Sequence, residues 1–376
     1  MGKKIIICSD GTWNTPLQTD RGRVVPSNVV RFARALVDDD EQCIFYDAGV
    51  GTDRGWWARF WGGVTGAGLE QNIYDGYQFI IEHYEPGDEL FLFGFSRGAY
   101  TVRSLGGMVH RCGIIRQGAA DLPAAPDRHE QPPVDEASVA RQLMEQARRV
   151  FRGGNREEAS RFKARYAHPD SRIAMIGVWD TVGALGIPSS WFNPRTWLLG
   201  GKGRYEFLDT GLNASVQAAY HALAIDEYRV PFQPTLWEQN PEQAAAGQVL
   251  EQVWFAGAHT NVGGGYDDPG LSDITLNWMI EKAEHHGLRF EPAAVARLYP
   301  DSLGELRDSR AGWLNKLFYR RKVARVMPER PECEDEAEED KRQGCHVHHT
   351  VERRLRNRIM PYRPGHLPKK YWRYPA

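Results

Sequence analysis

Apolar runs at residues 3–8, 42–47, 89–95, 172–180 and 249–257 each break at a turn, and helix-period stretches follow four of them. No other feature restricts the fold as much. Lys3-Lys4-Ile5-Ile6-Ile7-Cys8 is short and β-branched, like a buried strand, and it stops at Ser9-Asp10-Gly11-Thr12. Ser27-Asn28 then offers an N-cap to residues 29–36, whose apolar side chains share one helical face. Further helices are predicted over about 69–84, closed by Pro86-Gly87, over 99–109, and over 271–286 from a cap near Ser272-Asp273. This alternation predicts a doubly wound, mainly parallel sheet with helices on both faces.

Residues 117–170 leave that rhythm. They are rich in Pro, Ala and charge (Leu122-Pro123-Ala124-Ala125-Pro126, Gln131-Pro132-Pro133) before turning helical, and read as an insertion or cap. Residues 328–343, with Glu332, Glu334, Asp335, Glu336, Glu338, Glu339 and Asp340, read as an acidic, flexible loop. Residues 1–376 as a whole read as one domain, with enough apolar sequence to build its core without disulfides or metals. The five cysteines are scattered, so a reduced compartment and ordinary buried thiols are expected.

Composition narrows the function classes. Forty-seven basic against 49 acidic residues, a net charge of −2, exclude a globally basic nucleic-acid binder. The N-terminal apolar run is too short for a signal peptide, and no stretch approaches a membrane span. A cytoplasmic product is expected, with export by a signal-less route left open. No motif calls for a cofactor or a metal.

Gly94-Phe95-Ser96-Arg97-Gly98 fits G-x-S-x-G between an apolar strand and a helix, the setting in which such a serine is a nucleophile. The competing reading, a phosphate loop, lacks the GK[ST] it would need. A nucleophilic serine needs a base, and the base an acid to orient it, in α/β-hydrolases in the order Ser, acid, His. Asp180 ends the strand at Trp179-Asp180-Thr181, and His259 ends the last one within Gly257-Ala258-His259-Thr260-Asn261. Both fall at the carboxyl edge, where such sheets bind ligands. The oxyanion pocket is expected from the amide of Arg97 and from the loop after the first strand, at Gly11 and Thr12.

Several blocks together resemble the uncharacterised α/β-hydrolase family that includes the catalytic domain of type VI secretion phospholipase effectors. They are Cys8–Asn14, Tyr46–Thr52, Phe93–Ala99, Gly177–Gly183, His221–Glu227 and Phe255–Tyr266, with a weaker match at His348-His349-Thr350-Val351, Arg353 and Tyr362-Arg363-Pro364. The resemblance implies a Ser-Asp-His hydrolase with an α/β-hydrolase-like fold and carries the three roles onto Ser96, Asp180 and His259. It also implies that the chain corresponds to the catalytic domain alone. Asn261 departs from the acidic residue expected in the glycine loop, and His348 or His349 remains open as an alternative base.

The substrate reading is a lipid or other acyl ester, with peripheral membrane contact. Trp13, and Trp56, Trp57 and Trp61 in one glycine-flanked loop, are candidate substrate contacts, as is Asp10. Residues 313–322 mix apolar and basic side chains, which reads as a packed helix with a solvated basic face, with an interfacial helix as the alternative. Two other functions stay open: a metal-dependent phosphoester hydrolase using Asp10 and Asp180, and a non-catalytic binding module.

Overall fold

The computed structural model describes residues 2–11, 17–48, 66–118, 136–182, 210–310, 322–327 and 345–375. The strands are β1 (Lys4–Ser9), β2 (Thr19–Asp20), β3 (Arg23–Val24), β4 (Gln42–Asp47), β5 (Glu89–Phe95), β6 (Ile173–Trp179), β7 (Val216–Ala224), β8 (Val249–Phe255), β9 (Cys345–Val347) and β10 (Trp372–Arg373). Eight form one sheet in the order β4-β1-β5-β6-β7-β8-β9-β10, with every neighbouring pair parallel. β2 and β3 make a small antiparallel ribbon. The chain winds to one side of β1 for β4 and to the other for β5, so the topological switch point lies at the carboxyl ends of β1 and β5.

Strand periodicity separates two cores. Ile5, Ile7, Leu90, Leu92, Ile176 and Val178 face one side, and Ile6, Cys8, Phe91, Phe93, Phe95, Met175 and Trp179 face the other. The first face is covered by α2 (Gly66–His83), α3 (Arg97–Cys112), α4 (Glu136–Gly153) and α5 (Arg156–Tyr166). The described helices of the 117–170 segment thus join the layer over the sheet beside α3. The second face carries α1 (Asn28–Ala35) and α7 (Gly270–His285), with α6 (His259–Gly263) before α7. A third cluster around Trp254, Val347, Val351 and Tyr362 packs α8 (His349–Arg356) at the β9 end.

Ser27 caps α1 as its sequence predicts, accepting from the Val30 amide. The expected cap of α7 is displaced: the helix starts at Gly270 after Pro269. The Ser272 hydroxyl donates to the Pro269 carbonyl, and Asp273 pairs with Arg31 and accepts from the Tyr299 amide. β7 was not foreseen as a strand. Its Val-Gln-Ala-Ala-Tyr-His-Ala-Leu-Ala has one β-branched residue and little intrinsic strand preference. Parallel partners on both sides, β6 and β8, hold it in the sheet.

Cys8, Cys43 and Cys112 are free thiols, and burial pushes Cys112 up to about 12. Among the described residues no helix is long and apolar enough to cross a membrane.

Candidate active site

Ser96 stands between β5 and α3 with φ 58° and ψ −116°, a left-handed conformation that costs an ordinary side chain of order 1–3 kcal/mol. The surrounding glycines make that turn sterically feasible. A Cβ on Gly94 would lie 2.5 Å from the Gly98 carbonyl oxygen, and one on Gly98 would lie 2.0 Å from the Ser9 carbonyl oxygen. The motif therefore brings the end of β1 against the start of α3. The Ser96 amide donates to the Trp179 carbonyl at 3.1 Å, tying the turn to the end of β6.

Asp180, the residue after β6, is fully buried and has φ 42°. Among the described residues Arg21 is the only other non-glycine, besides Ser96 and Asp180, with positive φ. The Asp180 amide donates to the Ala222 carbonyl at 2.7 Å, and its Oδ1 accepts from the Ala224 amide at 2.9 Å, so β7 fixes the carboxylate from below. His221, also on β7, accepts from the Thr181 amide through Nε2 at 3.1 Å. Burial, then the nearby Arg103, push His221 down to about 3, which suits a neutral structural imidazole.

His259 opens α6 directly after β8. Its Nδ1–H donates to Asp180 Oδ2 at 2.6 Å, and its Nε2 accepts from the Ser96 hydroxyl at 2.9 Å. The ring packs against Phe95, centroids 4.5 Å apart, and meets Phe232 edge-on at 5.0 Å. Burial lowers the imidazole below its ordinary value and Asp180 partly offsets this. For Asp180 burial acts upward, but Arg325 and His259 override it and hold the carboxyl well below the usual range.

The His259 loop is braced on two sides. Glu227 lies 3.4 Å from the His259 amide and is itself gripped by the Arg229 fork and the Ser309 hydroxyl. Asn261, where an acid was expected, uses both ends of its amide: Oδ1 accepts from Ala258 and Arg307 amides, and Nδ2 donates to the Glu305 carbonyl. A carboxylate there would lose the donor.

The structure thus brings Ser96, Asp180 and His259 together, in contact. The other expected residues fall differently. The Arg97 amide begins α3 at the positive end of the helix dipole, and burial pulls the Arg97 side chain down to about 10. The Gly11 amide donates to Asp10 Oδ1 at 2.7 Å, so in this arrangement it serves its own loop rather than facing Ser96. Asp10 is buried and also accepts from Ser27 and Tyr46, at 2.5 and 3.1 Å. Thr12, Trp13, Trp56, Trp57, Trp61, the 328–343 stretch and most of 313–322 lie outside the described residues. His348 turns its Nδ1 to the Thr350 hydroxyl at 2.8 Å and packs on Phe255 and Tyr374, and His349 stacks beside it.

For a two-carboxylate metal site the donor sets are poor. Both oxygens of Asp180 already face the guanidinium of Arg325, at 2.5 and 2.9 Å, and both of Asp10 accept hydrogen bonds. Arg325 is the residue that sequence reasoning missed. It lies 145 positions from Asp180, in no motif, and only the fold joins them.

Over 137 residues the chain is 30% identical to the uncharacterized protein YEL023C of Saccharomyces cerevisiae, covering 32% of this chain and 19% of the yeast protein. A crystal structure of an uncharacterized protein from Pseudomonas aeruginosa superposes on 80% of this chain and 49% of its own, with 16% identity and TM-score 0.43. The Tle1 effector bound to the VgrG spike of the type 6 secretion system does so over 72% and 52%, with 18% identity and TM-score 0.38. The chain therefore spans about a fifth of the yeast relative and about half of each solved chain. The family described as T6SS, phospholipase effector Tle1-like, catalytic domain, matches residues 3–282, and the chain belongs to that family.

Proposed function

We propose that the protein is a serine hydrolase of carboxylic esters, acting on phospholipid or another lipid acyl ester. One observation carries the reading: the unbroken chain from Ser96 Oγ to His259 Nε2, 2.9 Å, and from His259 Nδ1 to Asp180 Oδ2, 2.6 Å. Ser96 Oγ attacks the ester carbonyl while His259 Nε2 takes its proton, and the carbonyl electron pair moves onto the oxygen. The Arg97 amide, first in α3, is the donor proposed to steady that oxyanion. Collapse breaks the C–O bond, the leaving alcohol takes the proton from His259, and an acyl-Ser96 remains. Water, deprotonated by the same imidazole, then attacks the acyl carbon, and the imidazolium returns its proton to Ser96 Oγ as the acid leaves. Asp180 stays ionised throughout and holds the tautomer.

The lipid part of the proposal rests on family membership, since the family is one of phospholipase effectors. Delivery by a signal-less secretion system and peripheral membrane contact follow from the same membership and are proposed with it. A fluorophosphonate probe should label the wild type and not Ser96→Ala. A panel of phospholipids and short acyl esters, hydrolysed by the first and not by the second, completes the test. A wild type that takes no probe and cleaves no ester refutes the reading. Activity that survives Ser96→Ala but is lost to a chelator would favour the metal-dependent alternative instead.

A further inference from the structure

We propose that Arg325 is a positioning residue of this triad: its guanidinium clamps Asp180 from behind and supplies the positive charge that leaves His259 neutral and ready to accept the Ser96 proton. The proposal rests on the serine-hydrolase reading above.

The geometry is that of a clamp. Nη1 reaches Asp180 Oδ1 at 2.5 Å and Nη2 reaches Oδ2 at 2.9 Å, a two-point pairing that fixes the plane of the carboxylate. The guanidinium is itself held, since Nη1 also donates to the Ala224 carbonyl at 2.7 Å and Nη2 to the Phe232 carbonyl. Ala224 closes the frame by donating its amide to Oδ1. With Oδ1 occupied by Arg325 and Ala224, Oδ2 is the oxygen turned to His259. Arg325 comes from residues 322–327, beyond the stretch 3–282 that the family matches.

Charge gives the clamp its second effect. A carboxylate with no exposed surface needs a cation nearby, because removing one partner of a buried pair is strongly destabilising. Among the described residues two groups next to Asp180 can supply it: the Arg325 guanidinium and His259. Among the described residues the remaining charged groups around His259 are Glu227, near its amide, and Arg229, which is forked on Glu227 and offsets it. Phe95 and Phe232 cover the ring and carry no charge. On the far side His221 contacts the Asp180–Thr181 turn through the Thr181 amide. Without Arg325 the nearest cation among the described residues would be His259 itself, and an imidazolium cannot take a proton from Ser96. Burial already disfavours that imidazolium and Asp180 opposes it, and the guanidinium paired with both carboxylate oxygens weakens that opposition.

The experiment measures kcat/KM against pH with a short acyl ester for wild type, Arg325→Lys and Arg325→Met, after labelling of the wild type by a fluorophosphonate probe. Arg325→Met should move the acid limb upward by about one pH unit or more and lower the plateau by about 10- to 100-fold. Arg325→Lys keeps the charge and loses the fork, so its limb should stay near the wild type's while its plateau falls. A role confined to stability would move neither limb. A wild-type limb and plateau in Arg325→Met overturn the proposal, as does an Arg325→Lys limb displaced as far as that of Arg325→Met. If neither variant folds, the wild-type limb decides: it must lie below the ordinary imidazole value of about 6.5, and a limb at or above it overturns the proposal. Absence of probe labelling in the wild type brings down the triad reading and this proposal with it. Labelling with unaltered Arg325 variants brings down this proposal alone.

Discussion

His259 and His348 occupy equivalent positions on neighbouring strands. Each is buried, each follows the carboxyl end of a strand (β8 for one, β9 for the other), and each stands at the start of a short helix. Both rings lie against aromatic side chains, Phe95 and Phe232 for His259, Phe255 and Tyr374 for His348. The difference is what each Nδ1 meets. His259 has the Asp180 carboxylate; His348 has the Thr350 hydroxyl. Burial, joined by the neighbouring His349, pushes His348 down to about 3, so its imidazole stays neutral near pH 7. For His259 the same burial is opposed by Asp180. A strand-end histidine becomes a competent base through the acid behind it.

Replacing each histidine in turn tests that distinction most severely. His259→Ala should lower kcat on an acyl ester by about 10⁵- to 10⁶-fold, and Ser96→Ala combined with it should cost little more, because members of a triad act as a unit. His348→Phe should leave kcat within about threefold, since no step runs through it. Steady-state rates of the three variants decide the matter. A His348→Phe enzyme as inactive as His259→Ala would undo the comparison and restore His348 as a base.

Asp180→Asn removes the difference itself. It should cost on the order of 10⁴-fold in kcat by losing the hold on the His259 tautomer. It also leaves the fully buried Arg325 without its carboxylate, a loss of about 3–5 kcal/mol in denaturant unfolding. Rates must therefore be read at a temperature where the variant is folded. A folded Asp180→Asn with near wild-type kcat would mean that His259 needs no acid.

Three sites on different strands could be read from the chain because each lies within a few residues of a strand's end and carries its own local pattern. Ser96 has its glycines, Asp180 its apolar run, His259 its glycine-rich loop. Their convergence follows from a parallel sheet, which puts all three ends at one edge. The glycine-rich loop marks His259 locally, but nothing local excludes His348, and the register of β6, β7 and β8 decides which one meets Asp180. β7 was hidden by its alanines, which suit a strand only between two partners. Arg325 was hidden by distance, and the Gly11 amide by a local hydrogen bond to its own neighbour.

The subtlest test concerns stability at low pH. His348 is held neutral in the fold, down to about 3, whereas in the unfolded chain it protonates near 6.5. Above about 6.5 it is neutral in both states and pH has no leverage through it. As pH falls from there toward about 3 the unfolded state binds a proton that the native state does not, so stability drops by about 1.4 kcal/mol per unit. His348→Phe retains the ring against Phe255 and Tyr374 but loses the bond to Thr350, so at pH 7 it should be less stable by about 1 kcal/mol. It is spared the loss below 6.5. His221, also held near 3, acts alike in both proteins and cancels from the difference. Unfolding free energies measured from pH 7.5 to 4.5 should therefore cross, the variant becoming the more stable protein between about pH 5 and 6. Parallel curves would mean that His348 protonates inside the fold as readily as outside it, and that burial does not set the two histidines apart in the way their surroundings imply.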